Sequence, residues 1–269
     1  MNQSPIHKVD IRILLDLISN FYKLDLSKST LEDIWSQQSK ILERFAVQQC
    51  FHEELLFRAY KTDEPIEDES WLWIPPNQKP SRISMKDKNV LYTSSSVPGA
   101  IIEANIKENE EFNLISYRLK ADQKLHGNMI LNLDTPIKDN FNNQDYIILR
   151  ILQNFVESEF LRHVVDANSF QYKTTQSLVW NLFDKYHGEV DAFFYPSVAH
   201  YRRAYNVAVK ESKFTTNQNG GINKLEVQSV QRAIRLPVSK PFLRTNVFME
   251  STEIKNGNIH YERISPKPI

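Results

Sequence analysis

The chain has 269 residues, of which 41% are hydrophobic and 25% are charged, values typical of a globular protein with a sizeable core. Its 33 Lys and Arg residues balance 33 Asp and Glu residues, which argues against a general nucleic-acid binder with a basic surface. The single cysteine, Cys50, excludes an internal disulfide and is typical of a reducing compartment. The sequence has neither a signal-peptide pattern nor an apolar run of roughly 18 residues, so we expect a cytoplasmic protein without membrane contact.

The first fifty residues are predicted to form a helical extension. Apolar residues recur at helical spacing in the first of its two helices, at Ile11, Leu14, Leu15 and Ile18. A break near Asp25 follows, and Ser29 or Thr30 is then a good N-cap for the second helix. Two interpretations of residues 1–50 stay open: a helical layer packed on the main domain, or a partner-binding element.

The remainder of the chain is predicted to be one α+β domain. Strands are expected at residues 55–60, 90–92, 112–119, 190–198 and 207–209, with helices at 145–165 and 172–186. Two strands in the tail, at 225–236 and 246–253, are followed by Asn256-Gly257, a typical two-residue hairpin turn. Strands and helices that alternate irregularly favour a mixed sheet over a doubly wound one.

Residues 90–104 are predicted to form a strand, a turn and a helix. Tyr92 ends the apolar strand, Ser95 or Ser96 is a candidate N-cap, and Pro98 suits the first helical turn. Glu103 then lies in an otherwise apolar helical segment. Taken alone, such a glutamate is most often a solvent-facing residue of an amphipathic helix, because glutamates are rarely buried without a partner.

Familiar catalytic and phosphate-binding motifs are absent. The sequence has no G-x-G-x-x-G, no G-x-x-x-x-G-K-[ST], no G-x-S-x-G and no histidines at metal-ligand spacing. What remains is a scattered set of polar residues near predicted strand ends or on the helix that follows one: Arg58, Arg82, Tyr92, Glu103, Ser197 and Asn206. Strand alternation also predicts that Tyr60 lies on the same face as Arg58.

These residues and their surroundings resemble the RES domain, a family named for its Arg, Glu and Ser. L-F-R-A-Y at Arg58 resembles the family's first strand, and S-R-I-S at Arg82 resembles its second arginine turn. L-Y-T-S-S-S-V-P-G-A-I-I-E-A is similar to the family's Tyr-x-Ser strand and to the helix that carries its glutamate, here Glu103. V-D-A-F-F-Y-P-S-V resembles the later segment with the serine, here Ser197, and N-V-A at Asn206 resembles the segment after it.

The resemblance implies a fold and an activity. The fold is a mixed β-sheet of ADP-ribosyltransferase-like type with surrounding helices and an N-terminal helical layer. Residues 1–50 would be the helical extension, and residues 51–269 an NAD-binding catalytic domain that ends in a β-hairpin tail. Many RES proteins are bacterial toxins that degrade NAD by hydrolysis or phosphorolysis of the nicotinamide–ribose bond and pair with an antitoxin or immunity protein.

The resemblance also implies roles for the individual residues. The catalytic set comprises Arg58, Tyr92, Glu103 and Ser197, and the NAD-binding set comprises Arg58, Tyr60, Arg82, Tyr92, Ser94 and Asn206. An arginine fork suits the pyrophosphate, and a carboxylate suits the positive charge that builds on the ribose when the glycosidic bond breaks. NAD is then the substrate; no metal, nucleic acid or membrane is expected, and a homo-oligomer is compatible with the sequence.

Two alternatives stay open beside this hypothesis. One is transfer of ADP-ribose to a protein target. The other is a non-catalytic interaction protein on a decayed RES scaffold that uses its N-terminal helices. Ser81 and Ser84 replace the Gly and Asn of the family turn around Arg82, and this departure keeps the second alternative open.

Overall fold

The computed structural model describes residues 10–43, 48–52, 54–74, 81–85, 88–130, 143–161, 170–186, 190–197, 205–214, 223–237 and 244–268. The chain divides into two compact units. The first comprises residues 1–50, 79–87 and 128–190, and the second comprises residues 51–78, 88–127 and 191–269. The predicted domains, 1–50 and 51–269, stay predictions, because compactness alone does not establish which segments fold independently.

The helices and strands are numbered in chain order. The helices are α1 (Ile11–Phe21), α2 (Leu31–Leu42), α3 (Val97–Glu103), α4 (Asn143–Leu161) and α5 (Tyr172–Ser177), which continues into a π-helix at Leu178–Tyr186. The strands are β1 (Gln48–His52), β2 (Leu56–Tyr60), β3 (Val90–Ser94), β4 (Glu111–Leu119), β5 (Leu125–Met129), β6 (Ala192–Pro196), β7 (Tyr205–Lys210), β8 (Leu225–Leu236), β9 (Arg244–Lys255) and β10 (Asn258–Pro268). Short 3₁₀ turns lie at Glu69–Leu72 and Glu211–Lys213.

The two N-terminal helices begin at side-chain caps. The Asp10 carboxylate accepts a 2.8 Å hydrogen bond from the backbone N–H of Arg12 at the start of α1. Thr30, one of the two predicted caps, forms a capping box with Asp33 at the start of α2. The predicted break near Asp25 is therefore confirmed.

Helix α1 packs within the first unit along a narrower stripe than the sequence predicts. Leu14 and Phe21 are buried, and the Phe21 ring meets the edge of Phe155 on α4 at 5.2 Å between centroids. Leu15, predicted to lie on the buried face, is instead 49% exposed. Positions one residue apart differ by about 100° around a helix, so packing through Leu14 and Phe21 leaves Leu15 outside the contact.

The strands form one ten-stranded sheet in the order β1-β5-β6-β7-β3-β2-β4-β8-β9-β10. From β6 to β10 along this order, each strand pairs antiparallel with its neighbour. The predicted α+β class, a mixed sheet with surrounding helices, is confirmed. Two strands were not predicted: β1 lies at the end of the predicted helical extension, and β5 lies in a polar segment that reads as turns.

Helix α3 lies on the face of the sheet that carries Ala59 of β2 and Leu114 of β4. Its residues Ala100 and Ile101 are buried in a shared apolar cluster with those strands. Full burial of an isoleucine side chain contributes about 1.5–3 kcal/mol, so this contact holds the helix on the sheet. The predicted strand–turn–helix unit is confirmed.

The predicted hairpin in the tail is also confirmed. Asn256 and Gly257 join β9 to β10 with φ angles of 53° and 80°. Positive φ at both central residues is what a type I′ turn requires, and Asn-Gly is its preferred sequence.

Candidate active site

The turn between β3 and α3 is held by serine hydroxyls. Ser96 is the N-cap of α3, since its side chain accepts a 3.2 Å hydrogen bond from the backbone N–H of Gly99. Ser95, the other predicted cap, instead binds the Tyr205 carbonyl at the start of β7, through its backbone N–H at 2.9 Å and its hydroxyl at 3.1 Å. These bonds tie the start of α3 to β7, the strand that carries Asn206.

The strand register places three polar side chains in one row. Ser94 of β3 and Tyr195 of β6 are both partners of Asn206 in β7, on its two sides. Directly paired residues of antiparallel strands project from the same face of the sheet. Tyr92 lies two residues before Ser94 and therefore shares that face. Ser197 follows immediately after the end of β6.

Glu103, the last residue of α3, meets this row. One carboxylate oxygen, Oε1, accepts a 2.5 Å hydrogen bond from the Ser197 hydroxyl and a 2.7 Å hydrogen bond from Nδ2 of Asn206. Ser197 and Asn206 are almost completely buried, whereas Glu103 is exposed. The two buried residues therefore hold one oxygen of a side chain that is itself exposed to solvent.

The second carboxylate oxygen of Glu103 has no hydrogen-bond partner among the described residues. Within the described part of the chain, no donor binds Oε2 and no cationic side chain forms an ion pair with this carboxylate. Two neutral donors orient the group without cancelling its charge. Such an arrangement presents a fixed negative charge to whatever binds beside it.

Asn206 has its own unusual environment. Its side-chain oxygen Oδ1 is buried and meets no donor among the described residues. A buried acceptor without a partner costs about 1–3 kcal/mol. The hydrogen bond from the amide nitrogen to Glu103 therefore fixes the orientation of the Asn206 side chain. Unpaired buried polar atoms of this kind are rare in folded proteins and are often associated with function.

Arg58 belongs to a second, aromatic cluster in the same unit. Its Nη1 donates a 2.5 Å hydrogen bond to the Trp73 carbonyl, and its guanidinium lies 4.3 Å from the centre of the Tyr60 ring. The predicted shared face of Arg58 and Tyr60 is thus confirmed. Trp73 stacks on Phe214, with 5.6 Å between ring centroids and 6° between ring planes. Burial raises the pKa of Tyr60 to about 12, despite the opposing effect of the Arg58 charge.

The structure does not bring Arg58 into contact with Glu103. Phe57 is the partner of Ser94, so the next residue, Arg58, leaves β2 on the opposite face. Among the described residues, no hydrogen bond or ion pair joins Arg58 and Glu103. That the two residues act in one cleft stays a prediction, whereas the grouping of Glu103, Ser197 and Asn206 is observed.

A comparison with known protein families decides which family the chain belongs to. The model described as the RES domain matches residues 55–223. This protein is a member of the RES domain family. The family carries the ADP-ribosyltransferase-like fold and acts on NAD, and it includes toxins. Comparison with curated proteins and with solved structures found no match.

The RES match includes every residue that the sequence proposed for the site. It excludes helices α1 and α2, strand β1 and the whole antiparallel tail from β8 to β10. These outer segments therefore extend the RES domain at both of its ends.

Arg82 lies in the first unit, on a turn that side-chain hydrogen bonds stabilise. The hydroxyls of Ser81 and Ser84 are 2.8 Å apart, so the two serines that replace the usual Gly and Asn bind each other. Nε2 of Gln176 donates to the carbonyls of Ser81 and Ser84 at 2.9 and 2.8 Å. The Arg82 guanidinium lies 6.0 Å from the centre of the Tyr172 ring. Its role in binding NAD stays a prediction.

Sequence reasoning missed the residues that support these site residues. Gln176 is a buried glutamine in the short helix α5, and nothing in its neighbourhood along the chain points to a turn more than 90 residues away. The described residues hold no cluster of His, Cys, Asp and Glu that fits a metal ion. Likewise, no helix in the described ranges has the length and hydrophobicity to cross a membrane.

Proposed function

We propose that this RES protein cleaves the nicotinamide–ribose bond of NAD. The observation that carries the proposal is the Glu103 carboxylate, which is exposed, without a described cation, and oriented by Ser197 and Asn206 through one oxygen. An oriented anion with one open oxygen suits a reaction in which positive charge develops on the substrate.

Cleavage of NAD is such a reaction. The bond between the nicotinamide nitrogen and C1 of the ribose breaks, and its electron pair leaves with the nitrogen, which becomes neutral. The ribose then carries an oxocarbenium-like positive charge, as in glycoside hydrolysis. Because nicotinamide is already a cationic leaving group, no general acid is needed, and one carboxylate suffices. Oε2 of Glu103 faces the developing charge or holds a ribose hydroxyl.

The second substrate decides the product. Attack by water gives ADP-ribose and releases one proton, which is hydrolysis. Attack by inorganic phosphate gives ADP-ribose-1″-phosphate, which is phosphorolysis. Transfer to a protein side chain is the third outcome, and its acceptor would appear as a modified protein.

The remaining candidate residues bind NAD in this proposal. Tyr92 shares a face with Ser94 and Asn206, where its ring offers a flat surface for nicotinamide or ribose. Arg58 uses one N–H on the Trp73 carbonyl and contacts the pyrophosphate with other donors, which requires NAD to reach from Glu103 to the other face of β2. Tyr60 supports the Arg58 guanidinium by a cation–π contact.

The proposed cellular role is that of a toxin. A protein that consumes NAD arrests the growth of its host, so we expect it to be held inactive by an antitoxin or immunity protein until it acts. Expression of the protein without such a partner in a bacterium should lower the NAD concentration and stop growth.

The deciding experiment measures nicotinamide release from NAD by the purified protein, with and without added phosphate, and identifies the second product by mass. The test variant is Glu103→Gln, which keeps the shape of the side chain and removes its charge. A preorganised charge of this kind contributes about 3–4 kcal/mol, so kcat should fall about a hundredfold to a thousandfold. The matched control is Glu108→Gln, which alters an exposed glutamate five residues later that makes no described contact.

Three results would reject the proposal. One is a wild-type protein that releases no nicotinamide, which would favour a non-catalytic RES scaffold. Another is a Glu103→Gln variant as active as the wild type. A third is an equal loss of activity in Glu103→Gln and Glu108→Gln, because the loss would then not depend on the contacts of Glu103.

A further inference from the structure

The C-terminal end of α3 is built around Glu103. The helix ends in a Schellman motif, in which Asn105 adopts a left-handed conformation with φ of 55°. The backbone N–H of Asn105 binds the Ile102 carbonyl at 3.0 Å, and the N–H of Ile106 binds the Ile101 carbonyl at 3.2 Å. Glu103 is the last residue of α3, so the geometry of this end sets the direction in which its side chain leaves.

Arg235 of β8 holds the segment that follows. Its guanidinium Nη1 donates a hydrogen bond to the Ile106 carbonyl. Its backbone carbonyl accepts from the N–H of Asn109 at 2.7 Å, and its backbone N–H donates to the Glu110 carbonyl at 3.0 Å. Within the described residues, the Arg235 side chain forms no other hydrogen bond, and its Nε is buried without a partner. The side chain is thus committed to the end of α3.

The other described side-chain hydrogen bonds of residues 105–110 are exposed to solvent. Lys61 pairs with Glu110 at 2.5 Å, but its side chain is 55% exposed. Exposed ion pairs contribute little to stability, because solvent screens them. The Glu110 carboxylate also accepts a 2.6 Å hydrogen bond from the N–H of Lys107, a contact local to the loop. Neither of these contacts reaches the Ile106 carbonyl, which lies three residues beyond Glu103.

We propose that Arg235 is a positioning residue that fixes the Glu103 carboxylate through the C-terminal end of α3. The inference rests on the proposed function, since Glu103 is taken as the residue beside the reacting carbon. Removal of the guanidinium frees the Ile106 carbonyl and loosens the end of α3. Glu103 then spends less time in the geometry that Ser197 and Asn206 define.

The same strand offers a matched control in Arg232. This arginine is almost fully buried and binds Glu111 Oε2 through Nε at 3.2 Å and through Nη2 at 2.9 Å. It also binds the Thr62 hydroxyl and the backbone carbonyls of residues 63 and 64. Arg232 therefore holds a different loop, and its loss should destabilise the protein without moving Glu103.

The experiment compares Arg235→Met, Arg235→Lys and Arg232→Met at a temperature well below all three melting temperatures. Amide hydrogen exchange of the NAD-free protein reports the end of α3, and nicotinamide release reports kcat and KM. We expect Arg235→Met to exchange faster at residues 105–109 and to lose about tenfold in kcat with KM little changed, because small misplacements of reacting groups are costly. Arg235→Lys should recover most of the activity, and Arg232→Met should affect exchange at residues 62–64 instead.

The outcomes separate this inference from the proposed function. Unchanged exchange at residues 105–109 in Arg235→Met overturns the inference whether or not the protein is active. Faster exchange with an unchanged kcat overturns the positioning role, as does an equal loss of kcat in Arg232→Met. An inactive wild type overturns the proposed function and, with it, the catalytic consequence claimed for Arg235.

Discussion

The hydrogen bond between Ser197 and Glu103 provides the sharpest test of the site. Ser197→Ala removes the donor at 2.5 Å and leaves the 2.7 Å bond from Asn206 to the same carboxylate oxygen. Ser197 is completely buried, so alanine deletes one oxygen atom without opening a path for solvent. The side chain of Glu103 then has one restraint in place of two.

The expected loss follows from the charge of the acceptor. A hydrogen bond to a charged group contributes about 1.5–3 kcal/mol, and each 1.36 kcal/mol is tenfold in rate. If Ser197 holds Glu103 in its reactive position, kcat should therefore fall about tenfold to a hundredfold. KM should change little, because the proposed phosphate ligands are untouched.

The assay is the initial rate of nicotinamide release over a range of NAD concentrations. Ser95→Ala is the control, since the Ser95 hydroxyl binds the Tyr205 carbonyl and not the carboxylate. A double variant completes the test: in the Glu103→Gln background, Ser197→Ala should have little further effect, because the two residues act as one unit. An unchanged kcat in Ser197→Ala, or full additivity in the double variant, would show that Ser197 does not position Glu103.

Three further predictions concern stability. Tyr60→Phe removes a buried hydroxyl that has no described partner, and the pKa of that hydroxyl is raised from 10 to about 12. Between pH 10 and 12 the wild type should therefore lose up to about 3 kcal/mol more unfolding free energy than the variant, as measured by urea titration. Burial opposes ionisation of Asp191, but its bonds to Lys224 and to a backbone N–H outweigh burial and lower its pKa. Asp191→Asn should therefore be less stable than the wild type at pH 7. It should also lose less unfolding free energy than the wild type as the pH falls below about 4. A Cβ on Gly127 would lie 2.2 Å from the Phe194 ring, so Gly127→Ala should lower the melting temperature, and an unchanged value would mean that β5 shifts freely.

The parts of this protein that short-range patterns control were predictable. The cap at Thr30, the strand–turn–helix from Val90 to Glu103 and the Asn256-Gly257 turn depend on interactions between residues a few positions apart. Backbone preference and side-chain capping act over that distance, so the sequence carries the signal directly.

Elements that depend on partners distant in sequence were not predictable. β5 has the sequence L-H-G-N-M, which lacks the alternation of apolar and polar residues typical of a strand. It forms a strand because it pairs with β6, which lies more than 60 residues later in the chain. The pattern of α1 likewise assigned Leu15 to the buried stripe, whereas the contact with Phe155 on α4 decides which residues are covered. Tertiary packing overrides local preference in both cases.

The candidate site divides in the same way. Local motifs around Arg58, Tyr92, Glu103 and Ser197 were enough to indicate the RES family, and the family implies NAD. The sequence around Glu103 is typical of a solvent-facing residue. Its contacts with Ser197 and Asn206, 94 and 103 residues further along the chain, arise from the folding of the chain. The same register directs Arg58 to the other face of β2. The physical reason is that side-chain direction follows strand pairing, and pairing joins residues whose separation in sequence leaves no local trace.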